Sequence, residues 1–262
     1  MSEVRTDTTD QTDSRVGTPL LVATGLTKRF GALTAIDDLS FEVGTGELFG
    51  IAGPNGAGKS TLLNLCTGQL RPDSGSLVFA GRDVAGKTPY TLCHAGIART
   101  FQIPMIFESM NVRENIAIGA MFGGPELVQK KANRRDLIDT ALEATGMADR
   151  ADQRAGTLAL LARKRTMLAA ALATQPRLIF MDEPLGGLTV EEVDELIAVI
   201  RSLHDQFGIT FVLVEHKIRA LKELSDRIMI IHYGSRICLD VPEAVVKDEQ
   251  VIDVYLGNES FA

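Results

Sequence analysis

The stretch Gly53-Pro54-Asn55-Gly56-Ala57-Gly58-Lys59-Ser60 constrains the fold of this chain more than any other. It satisfies every fixed position of the phosphate-binding loop pattern: glycine, four variable residues, glycine, lysine and a hydroxyl residue. Backbone amides must curl around an anion here, which side chains at the glycines would obstruct. A helix must also begin where the loop ends, so that its positive N-terminus faces the phosphates. The required context is present. Leu48–Ala52 reads as a strand leading in, and the segment from Lys59 to about Thr67 reads as the helix leading out. In that setting Lys59 reaches the β- and γ-phosphates of a nucleotide and Ser60 takes Mg²⁺. Asn55, Gly56, Ala57, Gly58 and Thr61 complete the expected nucleotide contacts of the loop.

A magnesium site needs a carboxylate, and Leu178-Ile179-Phe180-Met181-Asp182-Glu183 ends an apolar run in two acids. Asp182 suits Mg²⁺, directly or through water. Glu183 is then placed to orient or deprotonate an attacking water. A second apolar run, Ile209–Val214, is followed by His216. A polar residue at the carboxyl end of a parallel strand sits where ligands bind, within reach of a γ-phosphate.

Between the two runs, Val193, Leu196, Ile197, Ile200 and Leu203 recur at helical spacing. Thr189 and Glu192 form a capping box at the start of that helix. Ile228–His232 reads as a further strand. Short continuous apolar strands alternating with helices predict an α/β fold around a buried parallel sheet. From residue 104 to 174 the pattern is helical, which predicts an inserted helical subdomain between core segments 19–103 and 175–262. Residues 1–18, rich in Thr, Asp and Ser, are expected to form a disordered tail.

The net charge of −7 lacks the basic footprint of a general nucleic-acid binder, so no nucleic-acid partner is expected. A basic cluster at Lys130, Lys131, Arg134 and Arg135 reads as a solvated helix face. Charged residues interrupt every apolar stretch well short of the roughly 20 residues that cross a bilayer. The N-terminal residues carry no apolar leader pattern. Cys66, Cys93 and Cys238 match no metal or disulfide spacing and are expected as reduced thiols.

With these motifs in place, the chain resembles the ATPase subunits of ABC transporters from about Leu20 to Gly257. Phe30, in Lys28-Arg29-Phe30-Gly31, matches the aromatic that stacks on adenine in that family. Gln102, in Ala98-Arg99-Thr100-Phe101-Gln102, matches the glutamine that touches Mg²⁺ and the attacking water. Asp182-Glu183-Pro184 and Val214-Glu215-His216 match the acidic pair and the switch histidine. The resemblance implies a P-loop NTPase with a RecA-like parallel-sheet core, an N-terminal antiparallel β portion and the helical insert. It also implies ATP and Mg²⁺ as ligands, and a dimer in which each ATP lies between one subunit's phosphate loop and the other's signature loop. Transmembrane permease subunits would dock near the apolar run Ile103-Pro104-Met105-Ile106-Phe107, on the cytoplasmic face of the plasma membrane. Within the family, three stretches are similar to importers of branched-chain amino acids, amides or urea, which also work with a substrate-binding protein. They are Gly96–Pro104, Ala171–Pro176 and Val251–Gly257.

The chain departs from the family at its signature loop. Leu158-Ala159-Leu160-Leu161-Ala162 stands where the family reads Leu-Ser-Gly-Gly-Gln. A hydroxyl, an approach glycine and an amide are replaced by Ala159, Leu161 and Ala162, and Arg163 and Lys164 are expected to return charge without the geometry. The expectation is an asymmetric pair: this chain's own site completed by a second, non-identical ATPase subunit, and the partner's site impaired. The alternative is a nucleotide-binding regulatory subunit with little turnover.

Overall fold

In the computed structural model, which describes residues 18–123, 134–216 and 218–256, the continuous apolar runs become strands covered on both faces. β3 (Leu48–Ala52), β7 (Leu178–Asp182), β8 (Thr210–Val214) and β9 (Arg227–His232) lie in a six-stranded sheet with β6 (Ile97–Thr100) and β10 (Ser235–Asp240). The order is β10-β9-β3-β8-β7-β6. Neighbours are parallel except β10, which is antiparallel to β9.

Successive side chains of a strand point to opposite faces. Phe49, Ile51, Phe180, Val212, Val214, Met229 and Ile231 therefore join one core, shared with helix α1 (Lys59–Cys66). Ile179, Met181, Phe211, Leu213, Ile228 and Ile230 join the other, with α6 (Val190–Phe207) and α7 (Ile218–Leu224). With no solvated face, these strands need no polar alternation. α6 opens with the capping box: Thr189 Oγ1 accepts the Glu192 amide and the Glu192 carboxylate accepts the Thr189 amide.

The antiparallel portion is a second sheet of order β2-β1-β4-β5, built from β1 (Pro19–Phe30), β2 (Leu33–Gly44), β4 (Ser74–Phe79) and β5 (Arg82–Asp83). Leu21, Ile36 and Phe79 pack into the core that holds α1. A half-buried Arg227 at the start of β9 donates to both carboxylate oxygens of buried Glu47 and to the Glu42 carbonyl, tying the two sheets together. Thr18 accepts the Thr45 amide at 3.0 Å, so the strand hydrogen bonding reaches one residue into the expected tail; residues 1–17 lie outside the described residues.

After α2 (Pro89–Ala95) and β6, the described residues up to β7 hold three α-helices: α3 (Val112–Phe122), α4 (Arg134–Ala144) and α5 (Leu160–Leu172). α3 begins with a capping box from Asn111 and Glu114. α4 carries Arg134 and Arg135, the latter paired with Asp139 one turn on at 3.8 Å; Lys130 and Lys131 lie outside the described residues. α3 crosses α5 at Gly119, where an added Cβ would stand 2.0 Å from the Ala170 carbonyl oxygen. Backbones this close leave no side chain room. Gly119→Ala is therefore expected to destabilise the fold by about 1–3 kcal/mol, lowering Tm by several degrees in thermal unfolding. An unchanged Tm would show that α3 and α5 part without cost.

Candidate nucleotide site

The phosphate loop leaves β3 at its carboxyl end and is gripped from behind. A Cβ at Gly53 would lie 2.2 Å from the Ile231 carbonyl oxygen, and one at Gly58 would lie 2.5 Å from that of Ala35, where φ is also +105°. Glycine is obligatory at both. The β9–β10 turn fastens on: the Gly234 amide donates to the Ala57 carbonyl at 2.9 Å and the Gly234 carbonyl accepts the Asp37 amide at 3.0 Å. Lys59 opens α1 with its ammonium inside the loop, donating to the Gly53 and Pro54 carbonyls at 2.6 and 3.0 Å. Burial lowers the Lys59 pKa, opposed by the negative charges of Glu183, Asp182 and Glu215.

Those acids stand at the ends of β7 and β8. Asp182 accepts from Arg99 Nη2 at 2.8 Å; the other guanidinium arm donates to Asn64 Oδ1 and Thr67 Oγ1 on the α1 side. Arg99 thus links the acid at the end of β7 to the helix that follows the phosphate loop. Glu183 has φ of +43°, a region L-residues seldom adopt. Its amide is held by the Val214 carbonyl at 2.9 Å. Its carboxylate accepts from Gln102 Nε2 at 2.5 Å and lies 3.9 Å from His216 Nδ1. His216 Nδ1 is equally 3.9 Å from Glu215. Glu215 is buried and accepts the Leu185 amide at 3.0 Å; burial pushes its pKa up to about 7.

The structure thus brings Lys59, Gln102, Asp182, Glu183 and His216 to the carboxyl edge of one parallel sheet, where β3, β6, β7 and β8 end. A cavity of about 320 Å³ opens beside them, lined by the whole run from Asn55 to Thr61, by Phe30 and by Glu183. Leu33, Tyr233 and Gly234 also line it and were not anticipated from sequence. Gln102, Asp182 and His216 are outside its lining; they reach the cavity through Glu183 and its neighbours. The available donors near the loop are oxygens: the Ser60 hydroxyl, the Asp182 carboxylate and the Gln102 amide. That set fits a hard cation such as Mg²⁺.

Sequence reasoning missed Arg99 and Glu215 as parts of this cluster. The signal for Arg99 was available: a charged residue inside a short apolar strand needs a buried partner.

Leu158–Ala162 forms the entry to α5, with Ala159 at its N-cap and no side-chain cap. Leu161 and Ala162 are turned into the core, leaving Ala159 and part of Leu160 on the surface. The expected return of charge by Arg163 and Lys164 is corrected for Lys164 and not for Arg163. Arg163 folds back on its own loop, donating to the Leu158 and Gly156 carbonyls at 2.9 and 2.8 Å and to Glu108. Lys164 is buried on the core side of α5 and donates to the Gln102 carbonyl at 3.3 Å. Arg163 thus keeps its charge beside the loop, partly exposed and paired with Glu108, whereas Lys164 is buried away from it.

The apolar run after Gln102 divides. Ile103, Met105 and Phe107 are 73%, 69% and 55% exposed, whereas Ile106 packs on the core. Met105, Ile106 and Phe107 border an apolar cavity of about 310 Å³ between the sheet core and α3 and α5. Among the described residues no helix is long and apolar enough to cross a membrane.

Comparison with known proteins agrees with this geometry. Residues 36–186 match the family model described as ABC transporter. The chain is 32% identical over 250 residues to the high-affinity branched-chain amino acid transport ATP-binding protein LivG of Salmonella typhimurium, covering 91% of this chain and 98% of that protein. It is 31% identical, over the same shares, to BraF of Pseudomonas aeruginosa, which carries the same description. Among solved structures, the ADP conformation of an ATP-binding cassette of an ABC transporter superposes with a TM-score of 0.82 at 32% identity, covering 92% of this chain and 99% of that one. The phosphate loop, the acids facing it and the cassette fold have one common account: the chain belongs to the ABC transporter family, as its ATP-binding and ATP-hydrolysing subunit.

Proposed function

We propose that this chain powers an importer for branched-chain amino acids or related polar amides, as one half of an asymmetric ATPase dimer on the cytoplasmic face of the plasma membrane. The observation that carries the proposal is the contrast between its two working surfaces. Lys59, Gln102, Glu183 and His216 converge at the loop mouth, while the signature position presents only Ala159 and Leu160. LivG and BraF, named for branched-chain amino acid transport, support the cargo class.

In this reading Lys59 binds the β- and γ-phosphates and Phe30 stacks on the adenine. Asn55, Gly56, Ala57, Gly58 and Thr61 supply the remaining loop contacts. Ser60, Asp182 and Gln102 hold Mg²⁺, which when bound neutralises charge on the phosphates. Glu183, oriented by Gln102 and His216, accepts a proton from the attacking water, and His216 hydrogen-bonds the γ-phosphate. This site takes its missing half from the signature loop of a second, non-identical ATPase subunit. α5 still offers the partner its uncapped N-terminal amides but no side-chain donor. Losing one such donor typically costs roughly 3 kcal/mol, about 100-fold in rate.

The exposed Ile103, Met105 and Phe107 form the proposed seat for a cytoplasmic helix of a permease subunit. A substrate-binding protein would deliver cargo on the far side of the membrane.

ATPase assays of the purified chain alone and mixed with a related, non-identical subunit test the asymmetry. The expected result is about 100-fold more activity in the mixture; full activity of the chain alone overturns it. Glu183→Gln is expected to cut turnover about 10²–10⁴-fold while ATP still binds. Reconstituted transport undiminished by Glu183→Gln would instead favour the regulatory reading. Met105→Glu, at an exposed position, should leave Tm and ATP affinity unchanged but abolish co-purification with the permeases. Retained co-purification would remove this run from the docking surface.

A further inference from the structure

Tyr233 occupies a place that neither the turn nor the core explains. It is the first of two residues connecting β9 to β10 and has φ of +44°, followed by Gly234 at +80°. Two successive positive φ values define the tight hairpin turn that Asn-Gly or Asp-Gly fills with least strain. A bulky aromatic is an outlier in that conformation. It gains no burial in the core in return, since Tyr233 is 80% exposed and leans on the adjacent His232 ring at the surface. Strain that core packing does not explain is a pointer to function.

The position supplies one. Gly234 is fastened to the phosphate loop through Ala57 and to β2 through Asp37, so the hairpin tip is fixed relative to the loop. Tyr233 lines the same cavity as Phe30, Lys59 and Ser60. The His232 ring lies 4.2 Å from the Tyr233 ring, tilted by 44°, and gives the exposed ring a neighbour to lean on. Phe30, the other aromatic of the cavity, stands at the end of β1 in a different hairpin, 47% exposed, with Lys28 Nζ 5.7 Å from its centroid. Two hairpin tips, each bearing an exposed aromatic ring, thus border one cavity beside a phosphate cradle.

We infer that Tyr233 is a second aromatic contact for the bound nucleotide, meeting its base or ribose from the β9–β10 wall. This rests on the nucleotide reading of the cavity and adds a specificity-determining residue to it. An aromatic face favours a nucleobase over a bare polyphosphate, because stacking acts on the base and ribose end alone.

The test compares Tyr233→Asn and Tyr233→Phe with the parent, measuring Kd for ATP and for inorganic tripolyphosphate. Asn suits the turn better than Tyr, so Tm should be equal to or above that of the parent. For Tyr233→Asn the Kd for ATP is expected to rise about tenfold, with tripolyphosphate unchanged. Tyr233→Phe should keep most of the ATP affinity. ATP binding within twofold of the parent in Tyr233→Asn overturns the inference, as does an equal loss for tripolyphosphate. Phe30→Ala is the separate arm. A loss there without one in Tyr233→Asn leaves Phe30 standing and overturns Tyr233; a loss in Tyr233→Asn alone supports Tyr233 and removes Phe30 from the nucleotide contacts.

Discussion

Three stretches of backbone meet at the phosphate loop with no space between them for a side chain. The loop lies against the carbonyls of Ala35 at the start of β2 and Ile231 at the end of β9, so Gly53 and Gly58 cannot be anything else. This contact makes one unit of two sheets. The antiparallel sheet, which carries Phe30, and the parallel sheet, which carries the acids, are registered against each other through the loop. The Glu47–Arg227 pair repeats the tie at the opposite end of β3. Positions that look remote from the ligand in sequence are thereby fixed relative to it.

The parallel core was legible because continuous apolar runs of strand length, ended by Asp182 or followed by His216, fit few other places. The helix after the loop and the one opened by Thr189 announced themselves through local signals, a glycine loop and a capping box. What stayed hidden depended on contacts across the fold. A charge inside a short strand marks Arg99 as needing a partner, but which one follows only from β6 pairing with β7, which places it beside Asp182. Arg163 and Lys164 were read by charge alone. Their direction is set by the phase of α5, which points one back at its own loop and the other into the core. Tyr233 was missed because exposed hairpin tips carry no periodic signal.

The proposed asymmetry follows from where cost falls. Leu161, where the family has a glycine, is buried and adds packing to α5, while Ala159 two residues earlier lacks the family's hydroxyl donor. Such a change is unfavourable to a partner's site and favourable to the subunit that carries it.

Around the mouth of the loop, Lys59, Arg99 and Lys164 stand near Asp182, Glu183 and Glu215. Three cations are matched by three carboxylates, one of which burial inclines toward the neutral acid. Of these six, Lys59 and Glu183 line the cavity itself. If the site takes a triphosphate as proposed, the paired cations leave part of its charge for the loop amides and a bound Mg²⁺ to offset. On that proposal, the low dielectric that strengthens each internal pair also raises the cost of a bare anion, so the pairing that holds the acids in place would favour a complexed nucleotide over a naked one.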